Sequence, residues 1–240
     1  MSETDQQLVT IASTPIHSIA DVVAVFGAIE NAVPESDGLH WFNWLYLTVT
    51  KSVGASMGTL QWKNPSWLER LDIIFAGLYL KGLRKCLRED ADAPRCWQVF
   101  VNARHNTRLA RIQFAMAGMN AHINHDLCEA VVLTCRELAL SPTHESDIHA
   151  DFTQVNSLLD DLIDTAKKEL RVGLLGDVLP TVDALEDRLA GVGILASREL
   201  AWTNAELVWH AQILPGLGDR FLKNLDRTTA LVGRGLLIPV

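Results

Sequence analysis

Gly118-Met-Asn-Ala-His-Ile-Asn-His-Asp-Leu127 lies inside a long apolar-periodic stretch, residues 108 to 139, and its reading sets the fold. Apolar residues here recur every three or four positions rather than every second one, which is the period of a helix and not of a strand. At 3.6 residues per turn, His122, Asp126 and Glu129 share one helical face, and Asn120 and Asn124 share a neighbouring face. A buried polar group left without a hydrogen bond costs roughly 1 to 3 kcal/mol. Asn120, His122, Asn124, His125 and Asp126 therefore imply either a satisfied network or a site. On an ideal helix His125 turns away from the pair and faces water.

The same period extends outward in both directions. Ser18 can cap a helix bearing Ile19, Val22, Val23, Phe26 and Ile29, with Pro34 past its end, and Gly38 opens a second one bearing Trp41, Phe42, Leu45, Tyr46 and Val49. Ser66-Trp-Leu-Glu69 has the capping-box pattern and predicts a central helix to about Leu87. Pro94 suits the first turn of a short helix with Trp97 and Phe100. The long pattern allows a kink at Gly118 and closes at Ser141-Pro142. Beyond it, helices are predicted from about Asp147 to Arg171, over a short segment from Thr181 to Leu189, from Leu195 to Leu214, and from Gly218 to Val232. No alternating strand pattern, repeat or Pro/Ser-rich linker interrupts them. The expectation is an all-α, single-domain multi-helix bundle of about eight helices over residues 15–240, behind a flexible tail over residues 1–14.

Composition narrows the function classes. At 240 residues with 48% hydrophobic and 21% charged side chains, the chain can fill one core without a metal or disulfide. A formal charge of -8 repels phosphate backbones on average, so no nucleic-acid partner is expected. The basic clusters Lys81, Arg84, Lys85, Arg88 and Arg104, Arg108, Arg111 read as solvated, ion-paired helix faces. Cys86, Cys96, Cys128 and Cys135 form no C-x-x-C pair and read as small buried residues of a reducing compartment. The acidic, polar start lacks the pattern of a secretory signal, and no apolar run reaches the ~18 residues of a membrane span. A cytoplasmic location follows as an expectation, and a homo-oligomer is left open.

Three segments carry candidate chemistry. In the first, Asp126 orients His122 and raises its pKa, so that the imidazole can exchange a proton, with Asn120 and Asn124 as polar anchors. The second is the stripe Glu199, Thr203, Glu206 and His210, with Trp202 and Trp209 beside it as an aromatic wall. The third is Asp147-Ile-His149-Ala-Asp151, where acidic residues also suit a helix N-terminus. The aromatic segment Leu39 to Tyr46 offers His40 and Asn43 as polar points of a pocket. No Gly-x-Ser-x-Gly elbow, P-loop or Gly-x-Gly-x-x-Gly occurs.

Three functional readings follow. The leading one is an enzyme acting on a small, partly apolar molecule by cyclisation, isomerisation or elimination, with no cofactor. Its catalytic residues are His122 and Asp126, and Asn120, Asn124, Asn43, Trp202 and Trp209 contact the substrate. The second is a Zn- or Fe-dependent hydrolase whose metal is held by His122, Asp126, His149, Asp151, Glu206 and His210. Di-iron bundles use Glu-x-x-His, whereas this chain has Glu206-x-x-x-His210, and no His-Glu-x-x-His occurs. The third is a non-catalytic ligand-binding or assembly protein with a buried structural network.

Gly118, Met119, Asn120, Ala121, His122, Ile123, Asn124, Asp126 and Leu127 also resemble a motif, Gly-Met-Asn-Ala-His-Ile-Asn-x-Asp-Leu, of a bacterial helical family of unknown function. Weaker similarity runs through Phe42-Asn43, Phe75-Ala76, Gln113-Phe114, Asp151 and Asn156. The resemblance implies an all-helical fold and a focus on Asn120, His122, Asn124 and Asp126, and it implies no reaction. His125 falls on its variable position. That argues against the likeness of His125-Asp126 to the dipeptide of HD-type phosphohydrolases, for which His105 and Asp151 or Asp160 would be the distant partners.

Overall fold

A computed structural model of the chain describes residues 1–170 and 192–239. The described residues are all-helical: α1 (Glu3–Ile11), α2 (Ile19–Ala32), α3 (Gly38–Ser56), α4 (Pro65–Leu87), α5 (Arg95–Ala103), α6 (Arg111–Ala121), a π-helical turn (His122–Asp126), α7 (Leu127–Glu137), α8 (Asp147–Glu169), α9 (Val192–Ala211) and α10 (Leu217–Leu236). The predicted segment from Thr181 to Leu189, with the Gly/Leu-rich loop before it, lies outside the described residues. None of the described helices is long and apolar enough to cross a membrane.

Two apolar clusters fill one domain. The first joins α2, α3, α5 and α6 around Phe26, Phe42, Trp97 and Phe100, and the second joins α7, α8 and α9 around Val131, Phe152 and Trp202. α4 serves both, giving Tyr79 and Leu83 to the first and Trp67 and Leu71 to the second. α6 belongs to the first cluster and α7 to the second, so the π-helical turn between them lies at the junction.

Residues 1–14, expected as a tail, carry α1 instead. Ser2 and Asp5 cap it reciprocally, Leu8 is fully buried, and Asp5 pairs with Arg104. Arg104 is therefore a buried anchor, also 3.4 Å from Asp37, and not part of a solvated face. The cap of α4 also differs from expectation. Asn64 accepts from the Trp67 N–H at 3.1 Å, and Pro65 takes the first helical position, which its fixed φ favours.

Gly118 marks a close approach rather than a kink. It sits within regular α6, and a Cβ there would lie 2.3 Å from the Phe42 ring of α3. Gly118→Ala is expected to destabilise the protein by about 1 to 3 kcal/mol through overpacking. Gly27→Ala, in α2 with nothing within 4 Å of the new methyl, is expected to be neutral or stabilising by up to ~1 kcal/mol. Urea unfolding of both variants checks the contrast, and equal midpoints would remove the packing argument.

Candidate functional site

The polar run of the sequence becomes a π-helical turn in which the Leu127 N–H donates to the His122 carbonyl, five residues back. One extra residue in the turn changes which side chains meet. Asp126, 2% exposed, accepts from His122 Nδ1 at 3.0 Å, from His125 Nδ1 at 2.7 Å and from Trp97 Nε1 at 2.9 Å. Both ring nitrogens carry their proton at Nδ1 because an ionised carboxylate only accepts. Gly82 of α4 makes room for the third donor, since a Cβ there would stand 2.7 Å from the Trp97 ring. His125, expected to face water, is buried.

The three ionisable groups are pushed in different directions. Burial opposes the Asp126 charge, but the hydrogen bonds from the two imidazoles outweigh it and hold the carboxyl below its usual value. For His122, burial dominates and lowers the pKa despite Asp126, the reverse of the sequence expectation. For His125, burial is overcome by the hydrogen bond and charge of Asp126, aided by Asp226 and Glu129, and the pKa rises. The two imidazoles on one carboxylate are thus shifted in opposite directions, His122 toward the neutral form and His125 toward the charged one.

The two imidazoles face different surroundings. His122 stacks on Phe75 at 3.5 Å and 7°, with Tyr46 at 4.4 Å. It lines an apolar cavity of about 90 Å³ with Phe42, Tyr46, Phe75, Ile123, Leu159 and Arg198. Its Nε2 has no hydrogen-bond partner among the described residues, and neither has the Tyr46 hydroxyl. His125 lines a polar cleft of about 390 Å³ together with Lys81, Arg95, Glu129, Lys223 and Asp226. Asp226 accepts from the Arg95 and Cys96 N–H groups at 3.0 and 2.9 Å, capping α5.

Arg198 is the residue that sequence reading missed. It is 8% exposed, lines the cavity, and donates to Asn156 Oδ1 at 2.8 Å and to the Phe152 carbonyl at 2.7 Å, with its guanidinium over the Phe152 ring. Among the described residues no carboxylate lies within ion-pair distance of it.

The other predicted residues separate. Asn120 donates to the Thr229 carbonyl at 2.9 Å and accepts from Asn124 at 3.0 Å, so the pair ties the π-helical turn to α10. Asn43 is fully buried and donates to the Phe26 carbonyl, away from the cavity lining. Trp202 packs between Trp67 and Phe152 in the second cluster, and Trp209 packs at its edge, neither lining the cavity. The six residues of the metal reading do not form one sphere among the described residues. Asp151 accepts from the Lys63 and Asn64 N–H groups before α4, His210 is exposed, and His149 lies with His144 and Glu199 rather than with His122. His105, the distant partner of an HD-type site, is exposed beside Asp37. The four cysteines are free, with Cys86 and Cys128 pushed up to about 12 and Cys135 to about 11 by burial.

The fold and site define an all-α protein with a buried Asp–His centre between an apolar cavity and a polar cleft. The chain belongs to the family of unknown function DUF5995, whose match covers residues 19–239. No curated protein and no solved structure matches it.

The opposed shifts predict that His125 titrates above 6.5 and His122 below it in a histidine NMR titration. In stability terms, the raised His125 contributes stability that is complete below 6.5 and lost as pH rises through its folded value. The lowered His122 contributes stability present above 6.5 and lost as pH falls. Asp126→Asn is expected to move His125 downward. A His122 titrating above His125 would overturn the assignment.

Proposed function

We propose that the protein is an enzyme performing acid/base chemistry on a small, partly apolar molecule that carries an anionic group, with His122 as the proton-transferring residue. The observation carrying this reading is His122, a residue of the cavity lining whose buried Nε2 has no partner among the described residues while its Nδ1 is held by Asp126. Leaving such a nitrogen unpaired costs about 1 to 3 kcal/mol. A ligand that supplies a proton there accounts for its retention.

Each group has a role that follows from its surroundings. Burial keeps His122 neutral, so the Nε2 lone pair is available at neutral pH, and Asp126 stabilises the imidazolium formed when the proton arrives. Burial raises Tyr46 well above the usual phenol value, so its hydroxyl stays protonated and can donate. Arg198 keeps its proton, although burial lowers it to about 10, and offers a fixed positive charge to a carboxylate or similar group. Asp126 is a positioning residue. Isomerisation, elimination or cyclisation suits this set, because a proton can leave one carbon and return to another atom without a nucleophile.

Deuterium exchange tests the reading without knowledge of the product. A library of small carboxylic acids with apolar bodies is incubated with the protein in D₂O and followed by mass spectrometry and NMR. The wild-type chain is expected to exchange a C–H of at least one compound, and His122→Gln to do so roughly 100-fold or more slowly. Arg198→Met is expected to raise KM more than it lowers kcat. A folded His122→Gln protein that exchanges at the wild-type rate would sink the proposal.

A further inference from the structure

A second set of ionisable side chains converges away from the cavity. His144, in the segment between α7 and α8, places Nε2 3.1 Å from Glu199 Oε1 of α9. His149, in the first turn of α8, places its own Nε2 3.2 Å from the same oxygen. The three candidate donor atoms lie within 4.8 Å of one another. Two ligand atoms held at about 2.0 to 2.1 Å by one tetrahedral ion stand roughly 3.3 to 3.4 Å apart. The spacing of the two nitrogens from Oε1 is close to that edge.

The outer contacts point the same way. His144 Nδ1 lies 2.8 Å from Glu206 Oε1, a carboxylate on the far side of the ring from Glu199. Metal-bound histidines commonly have this arrangement, with the non-ligating nitrogen on a carboxylate. His149 is aimed by packing, with Trp202 at 4.7 Å and Phe152 stacked beyond.

We infer that His144, His149 and Glu199 bind a divalent transition-metal ion of the Zn²⁺ class, with Glu206 orienting His144 from behind. Three protein ligands leave a fourth position, and the half-exposed His144 and Glu199 leave it open to water. The ion clamps the segment preceding α8 to α9. The site is separate from His122 and does not depend on its chemistry, so metal binding and proton exchange can fail independently.

The test uses the full chain without an affinity tag, stripped with a chelator and titrated with Zn²⁺ by calorimetry, with Co²⁺ as a spectroscopic probe. One equivalent of Zn²⁺ and the visible bands of four-coordinate Co²⁺ are expected. Glu199→Gln and His144→Ala are expected to abolish both, while Glu206→Gln keeps the stoichiometry with roughly 10- to 100-fold weaker affinity. Absence of saturable Zn²⁺ binding by the wild-type chain would overturn the inference. Binding that survives both Glu199→Gln and His144→Ala would overturn it equally. If a variant does not fold, diethylpyrocarbonate labelling of the wild-type chain decides, since Zn²⁺ protects His144 on this account and unchanged labelling contradicts it.

Discussion

Everything near the centre of the molecule answers to one ionised carboxylate kept out of water. Burying a carboxylate costs several kcal/mol even after relaxation, and breaking such a group's pairing typically costs about 3 to 5 kcal/mol. Asp126 meets that demand with three donors, two imidazoles of its own turn and the indole of Trp97 from α5. In a regular α-helix the side chain at i−4 lies about 40 degrees from that of residue i, whereas the side chain at i−1 points about 100 degrees away from it. The π-helical turn lets His122 and His125 both reach Asp126, and turns of this kind recur at functional sites. Gly82 belongs to the same requirement, because Trp97 reaches Asp126 only across the surface that a side chain would occupy.

The carboxylate also divides the molecule electrically. On one side burial among aromatic rings lowers the pKa of His122, and on the other Asp126, aided by Asp226 and Glu129, overcomes burial and raises that of His125. Under the proposed function, a charge forming on His122 would be met at once by the carboxylate of Asp126 already in place. Such preorganisation is what a low-dielectric pocket rewards. Asn120 and Asn124 serve this arrangement indirectly, since their bond to the Thr229 carbonyl fixes the π-helical turn against α10.

Much of this was legible from the chain, and what was not has physical causes. Polar residues interrupting an apolar period located the centre, and the i, i+4 spacing of His122 and Asp126 and of Asn120 and Asn124 identified pairs that do meet. His125 was misread because ideal helical geometry was assumed through a turn that holds an extra residue. The direction of the His122 shift depends on how completely the ring is enclosed, a property of Phe75 and Tyr46 from two other helices. The docking of α1 rests on Asp5 meeting Arg104, a contact between residues far apart in the chain that no local pattern announces. His144 lies in a non-helical segment with no period to read, and Asn43 and Trp202 carried the right chemistry in positions that packing consumed.

The choice of arginine at position 198 follows from the same reasoning. Its hydrogen bonds go to an amide oxygen and a backbone carbonyl, and neither cancels its charge. Burial, partly offset by the charge of Glu199, lowers its pKa to about 10, still well above neutrality. A lysine so enclosed starts near 10.4 and can fall by several units, giving up the proton. Guanidinium also lies flat on the Phe152 ring while its fork spans Asn156 and the Phe152 carbonyl, which an ammonium does not reproduce. The cavity thus pairs a permanent cation on α9 with a neutral base on the π-helical turn. Under the proposed function, that polarity would hold a ligand with an anionic end and an apolar body in one orientation, with its body among the rings around His122.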